Sequence, residues 1–168
     1  MFKTNDVVFF EDFGICHIIG IEERKHLGEL NAYYVLNPIS DSKDLQTNIS
    51  VSVNTTKIMR KVSSEEEIDN LIRSLPQFNL DWDTSSRRRE LFYKECIKSG
   101  KLCDFAKVIT YVHAEKKHYR ENRKPFPSKD LTYYKKAQSF FNQEIAYVLK
   151  IKPCDVESYI EINAGKIN

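Results

Sequence analysis

Trp82 is the single tryptophan of the chain. It stands in an acidic, proline-containing connector, Leu75-Pro76-Gln77-Phe78-Asn79-Leu80-Asp81-Trp82-Asp83. A helix-start signal, Thr84-Ser85-Ser86, and three consecutive arginines, Arg87, Arg88 and Arg89, follow directly. A large apolar wedge beside clustered cations is suited to gripping nucleic acid, with the arginines holding a phosphate backbone while the indole distorts the base stack. The same tryptophan could instead plug the gap between two helices, which is the commoner fate of a lone Trp. Composition leaves both readings open.

Little else in the chain has the spacing for chemistry. Cys16, Cys96, Cys103 and Cys154 are far apart with no CxxC pair. They read as small buried apolar residues in a reducing compartment. His17, His26, His113 and His118 lack zinc spacing. His113 and His118 are five apart, so they do not share a helix face as an i,i+4 pair would. There is no GxGxxG, no P-loop and no GxSxG, and 5 glycines are too scattered to cradle a phosphate. No catalytic group, metal or cofactor is expected, and the chain is not expected to be an enzyme.

Charge supports a nucleic-acid surface without deciding it. Residues 84–136 carry 15 Lys and Arg against 6 Asp and Glu, while residues 63–83 carry 1 against 6. The first sixty residues are close to neutral. A basic helical region with an acidic approach fits a nucleic-acid-facing surface. A solvated lysine-rich helix face explains the same excess equally well.

The elements that must position these residues fall into two classes. In the first sixty residues short β-branched and aromatic runs alternate with turns. The candidate strands are Val7–Phe10, Gly14–Ile21, Ala32–Leu36, Ile49–Val53 and Lys57–Val62. Ile49, Val51 and Val53 share one face. Turn chemistry separates the runs at Asp12-Phe13-Gly14, Leu27-Gly28-Glu29 and Pro38–Ser42. Five short strands bury a core by curling, which predicts a small SH3-like or Tudor-like barrel.

From Ser63 the period becomes helical. Ser63 and Ser64 are each followed three residues later by a glutamate, a capping-box signature. Ile68, Leu71, Ile72 and Leu75 then form an apolar face, and Pro76 ends the helix. A second helix runs from Thr84 or Ser85 to Gly100, with Leu91, Phe92, Cys96 and Ile97 as its stripe. A third starts at Leu102 with Phe105, Val108, Ile109 and Val112 inward, and stops before Pro125. Ser128 is the expected cap of a fourth, with Leu131, Tyr134, Phe141, Ile145 and Val148 in the core. A short fifth follows Pro153. The expectation is therefore an α+β chain of two domains: a β-barrel over residues 1–61 and a compact helical bundle over residues 63–168. No 18-residue apolar run and no apolar leader is visible, so a cytoplasmic protein with no membrane partner is expected.

These parts, in this order, resemble the CarD/CdnL family of bacterial transcription regulators. The first half carries Asp6-Val7-Val8-Phe9-Phe10, Phe13-Gly14-Ile15, Ile21-Glu22, Gly28-Glu29, Tyr33-Tyr34-Val35-Leu36, Val51-Ser52-Val53 and Met59-Arg60. It looks like the module that this family shares with transcription-repair coupling factor. The second half, with Trp82, the arginines, Lys98-Ser99-Gly100, Phe105–Ile109 and Ala137, looks like the family's helical domain. Each motif alone is weak; the ordered set is more specific.

The resemblance implies a mechanism. The Tudor-like module docks on the β subunit of RNA polymerase. The helical domain touches promoter DNA upstream of the −10 element, and a tryptophan wedge in the minor groove stabilises the open complex. Carried over by position, Trp82 is the wedge and Arg87, Arg88 and Arg89 are phosphate contacts. Arg24 falls at a polymerase-contacting basic position, and Ile49, Ser50 and Val51 lie in the strand that would pair with the polymerase. The chain departs from the family at Phe10–Gly14, where Tyr-Pro-x-His-Gly is usual, and at Ser52, where Val-Pro-Val is usual. A second basic polymerase contact falls at Ser50. A monomer is expected. The competing reading is a protein–protein adaptor without DNA contact, with Trp82 buried and the arginines paired to acidic partners.

Overall fold

The computed structural model describes residues 1–11, 13–26, 29–39, 47–75 and 81–164. The chain divides into two compact units, Met1–Val62 and Ser63–Asn168. In the first, β1 (Val7–Phe10), β2 (Gly14–His26), β3 (Glu29–Pro38), β4 (Ile49–Ser52) and β5 (Met59–Lys61) form one antiparallel sheet ordered β4-β3-β2-β1-β5. Each apolar run became a strand because alternation presents one row to a common core. Val8, Phe10, Cys16, Ile18, Tyr34, Leu36 and Val51 make that core, with Ile49, Val53 and Met59 packed against it.

Two expectations change here. Among the described residues no pairing joins β4 to β5, so the sheet is open rather than a closed barrel. The terminal strands are only four and three residues long, and each pairs with a single neighbour. Strands β2 and β3 also run beyond their apolar cores. Their register continues to His26↔Glu29 through the charged stretch Glu22–Lys25, where no apolar alternation signals a strand. A register shift between Ile18 and Gly20 leaves Ile19 largely exposed. The turn residues Asp12, Leu27, Gly28 and Ser40–Ser42, and the helix stop at Pro76, lie outside the described residues.

The second unit holds α1 (Glu65–Ser74), α2 (Ser86–Ser99), α3 (Leu102–Glu121), α4 (Ser128–Leu149), a 3-10 turn at Pro153–Asp155 and α5 (Val156–Ala164). The capping box at α1 forms: Ser64 Oγ accepts from the Glu67 N–H, and the Glu67 carboxylate accepts from the Ser64 N–H. Just before it, the Ser63 N–H and hydroxyl donate to the fully buried Glu144 carboxylate of α4 at 2.8 and 2.9 Å. Gly100 ends α2 at φ 66°, a left-handed conformation that favours glycine. Pro127, not Ser128, is the N-cap of α4, and no side chain caps that end.

The buried stripe of α2 is Arg89, Tyr93, Cys96 and Ile97; Leu91 points outward. Leu131, Val148 and Ile109 are half-buried rather than central. Cys16 and Cys96 are buried, and burial pushes their thiols up to about 12 and about 11. Cys103 is half-buried and Cys154 exposed, so the expectation of four buried cysteines holds for two. No helix of the described residues is long and apolar enough to cross a membrane.

Since the first unit holds its own core and, among the described residues, no helix, a fragment of residues 1–62 is expected to show β-type circular dichroism and cooperative melting. A helical spectrum, or no folded signal, would contradict its independence.

Candidate functional site

The site begins with how α2 starts. Ser85 caps the helix, its side chain accepting from the Arg88 N–H. One turn into the helix, Arg89 falls on the inward stripe with Tyr93 and Cys96. A guanidinium cannot enter a core unpaired, because the cost of desolvating a lone charge is several kcal/mol. Here the partner is Asp130, in the first turn of α4. Nε and Nη2 of Arg89 donate to the two Asp130 oxygens at 2.8 and 2.9 Å. Both side chains are nearly closed to solvent, 5% and 3% exposed. The remaining donor, Nη1, reaches the carbonyls of Asp83 and Thr84 at 2.8 and 3.2 Å.

Trp82 lies on this ion pair. The Arg89 guanidinium carbon is 4.4 Å from the indole centroid, a cation–π contact. Three rings surround the indole: Tyr111 at 5.0 Å, Phe126 at 5.9 Å and Tyr119 at 6.3 Å. The connector is fastened at the next residue, where the Asp83 N–H donates to the Tyr111 hydroxyl at 2.7 Å. Asp83 in turn accepts from the Ser85 N–H and pairs with Arg88 at 2.8 Å. Trp82 is still partly exposed. It is a packed residue that keeps part of its surface in solvent.

Exposed cations lie on the elements that flank Trp82. Arg87 is exposed, and Arg88 remains 72% exposed despite its pairing with Asp83. Beyond Tyr119, Arg120, Arg123 and Lys124 are exposed as well. They sit on the turn that ends α3, where Lys124 N–H donates to Tyr119 C=O and Arg123 N–H to Arg120 C=O. This is a Schellman closure with Arg123 at φ 53°, where glycine is usual. Holding an arginine there costs about 1 kcal/mol. The turn brings Phe126 back onto Tyr119 at 5.2 Å and so onto the indole.

The arginine triplet therefore splits. Arg87 and Arg88 can face a phosphate. Arg89 cannot: its donors are committed to Asp130 and two carbonyls, inside the fold. Its expected role as a phosphate contact is corrected to that of an internal support. Sequence reasoning missed Asp130, Tyr111, Tyr119 and Phe126. The available signal was phase: Asp130, Tyr134, Ala137 and Phe141 follow a buried 4, 7, 11 spacing along α4.

The sheet unit brings together two of its expected residues. Arg24 Nη2 donates to Ser50 Oγ at 2.8 Å and pairs with Glu22 at 2.7 Å, and the guanidinium lies 5.6 Å from the Tyr33 centroid. Ile49 and Val51 point the other way, into the core. Val53 N–H donates to Ala32 C=O, so the alternation of the ladder turns the N–H groups of Val51 and Ile49 toward β3. Those of Ser50 and Ser52 face outward from β4, an edge strand among the described residues.

Burial opposes ionisation of Asp130, but the hydrogen bonds and charge of Arg89 outweigh it and hold the carboxyl below its usual range. A depressed carboxyl stabilises the fold at neutral pH, fully above about pH 4, and loses that contribution as the pH falls through its lowered value. Removing one partner strands the other. Arg89→Ala and Asp130→Ala are each expected to cost about 3–5 kcal/mol in urea unfolding at pH 7. A loss below about 1 kcal/mol, the range of an exposed pair, would contradict this account of the pair.

No curated protein matches the chain. Residues 2–63 match the family model of the CarD-like/TRCF RID domain. The match covers the sheet unit and ends where the helical unit begins. The first unit of this chain thus carries a region similar to the CarD-like/TRCF RID domain, a match that supports an RNA polymerase-interacting module there.

Proposed function

We propose that the chain is a transcription regulator that docks on the β subunit of RNA polymerase and steadies the promoter open complex through its helical unit. The observation that carries the DNA half is Trp82: an indole held by three rings and a guanidinium yet partly exposed, with Arg87, Arg88, Arg120, Arg123 and Lys124 exposed on the elements that flank it. The arginines and the lysine neutralise phosphates and carry little sequence information. The indole edge enters the minor groove where base pairs separate and offsets part of the lost stacking. Indole Nε1–H can donate to a base-edge or sugar acceptor. The reading involves no covalent chemistry and no cofactor.

Docking uses the β4 edge and the surface beside it. Ser50 and Ser52 offer outward N–H groups to a partner strand, and Arg24 stands next to them. Ser52, in place of the proline usual in the family, leaves this N–H available. Tethering then raises the effective DNA concentration at the Trp82 edge, to about the millimolar range for a short span.

Two experiments test the two halves. Ser50→Pro removes an outward N–H and is expected to lose polymerase in a pull-down, whereas Ser52→Pro, which restores the residue usual in the family, is expected to retain it. Retention by Ser50→Pro would remove strand pairing from the account. Trp82→Ala is expected to retain polymerase and shorten the open-complex lifetime by about 5-fold or more, within the 5- to 150-fold range of a lost base–aromatic contact. Arg87→Ala and Arg88→Ala should weaken DNA contact across sequences and lower its salt dependence. A stable complex carrying Trp82→Ala with an unchanged lifetime would favour an adaptor that never touches DNA.

A further inference from the structure

We propose that Arg89 and Asp130 are positioning residues for DNA engagement: a buried ion pair that aims the Trp82 indole without itself meeting DNA. The inference rests on the reading of Trp82 as the DNA-contacting group. Three observations carry it. The pair is buried to within a few per cent, so neither side chain is available to a phosphate. The guanidinium lies against the indole at 4.4 Å, while its Nη1 holds the carbonyls of Asp83 and Thr84. One group therefore restrains both the ring of Trp82 and the backbone that follows it. Asp130 fixes the guanidinium plane through two oxygens, a geometry that lysine cannot reproduce.

A wedge works only if its direction is set before contact. A tryptophan on a connector would otherwise lose rotational freedom on binding, and that ordering weakens affinity. Here the guanidinium and three rings already hold the indole in the folded chain. The consequence is a separation of roles that a series of variants can read. Arg87 and Arg88 act on the salt dependence of DNA binding, and Arg89 acts on affinity alone.

The test uses the full chain and a fluorescein-labelled A·T-rich duplex with a short unpaired segment. The main variant is Arg89→Met combined with Asp130→Leu, because replacing both partners of a buried pair by apolar groups commonly preserves folding. Time-resolved anisotropy of the sole tryptophan is expected to show wider ring motion at an unchanged melting temperature. Affinity for the duplex should fall by about 5- to 20-fold, part of the range for a base–aromatic contact. The slope of log affinity against log salt should stay as in the native chain. Arg87→Ala should instead lower that slope by about one. In a Trp82→Ala background the paired substitution should change DNA binding no further.

Native affinity in the folded double variant overturns the proposal, and so does a slope lowered by about one, which would make Arg89 a phosphate contact. If Trp82→Ala alone leaves binding unchanged, the reading of Trp82 falls first and takes the proposal with it. If Trp82→Ala weakens binding and the double variant does not, only the positioning role fails. Should the double variant not melt cooperatively, Arg89→Lys carries the same test. It keeps the charge, loses the two-oxygen fork, and is expected to free the indole and weaken binding at constant salt slope; native ring motion and affinity in that variant would overturn the proposal.

Discussion

The buried pair of Arg89 and Asp130 is the constraint on which the helical unit's functional end depends. Charge taken out of water is costly, and only an opposite charge with full hydrogen bonding compensates it. Asp130 accepts from two guanidinium nitrogens, and the third nitrogen is satisfied by two backbone carbonyls. In meeting its own needs the guanidinium ties the start of α2 to the start of α4 and fixes the connector that carries Trp82. Burial and the adjoining Asp130 carboxylate also raise the Tyr93 phenol, so a neutral ring packs beneath a fixed charge pair. The indole is thereby packed against the helical core, although it sits on a connector rather than on a helix.

The two units solve different problems. The sheet presents a polar edge, where Arg24, Glu22 and Ser50 form a hydrogen-bonded group on the face away from the core. Its apolar residues at Ile49 and Val51 hold β4 in place from the other side. A strand secured in this way can offer backbone groups to a partner without losing its own pairing. The helical unit carries exposed cations on the elements that flank the partly exposed Trp82. On the proposed function both contacts are individually weak, and linking them in one chain makes the second effectively intramolecular.

Much of this is legible in the sequence, and the exceptions have physical causes. All five strands and all five α-helices of the described residues are marked by period, caps and breakers. The extended end of β2 is charged on both faces and that of β3 is Glu29-Leu30-Asn31, so pairing there is set by register rather than by apolar alternation. Hydropathy misplaces the stripe of α2 because Leu91 is apolar and Arg89 is charged, whereas the fold buries the arginine and exposes the leucine. Phase does better: Arg89, Tyr93, Cys96 and Gly100 recur at helical spacing, as do Asp130, Tyr134, Ala137 and Phe141. Two opposite charges, each on a buried phase, predict one another. Glu144 obeys the same logic, lying between Phe141 and Ile145 on the inward face and bonded to Ser63. The aromatic shell of Trp82 is hidden for a different reason. Tyr119 and Phe126 belong to the polar end of α3 and to the turn after it, and a Schellman closure at Arg123 brings them together.

The central claim is that the Trp82 edge meets separated bases. Its most direct test is the fluorescence of 2-aminopurine placed at the upstream edge of the bubble in polymerase open complexes. Adding the native chain should change the emission, as an indole edge enters the groove beside the probe, and Trp82→Ala should dock on the polymerase without producing that change. An identical response from the native chain and the Trp82→Ala variant, at equal occupancy of the polymerase, would contradict the account.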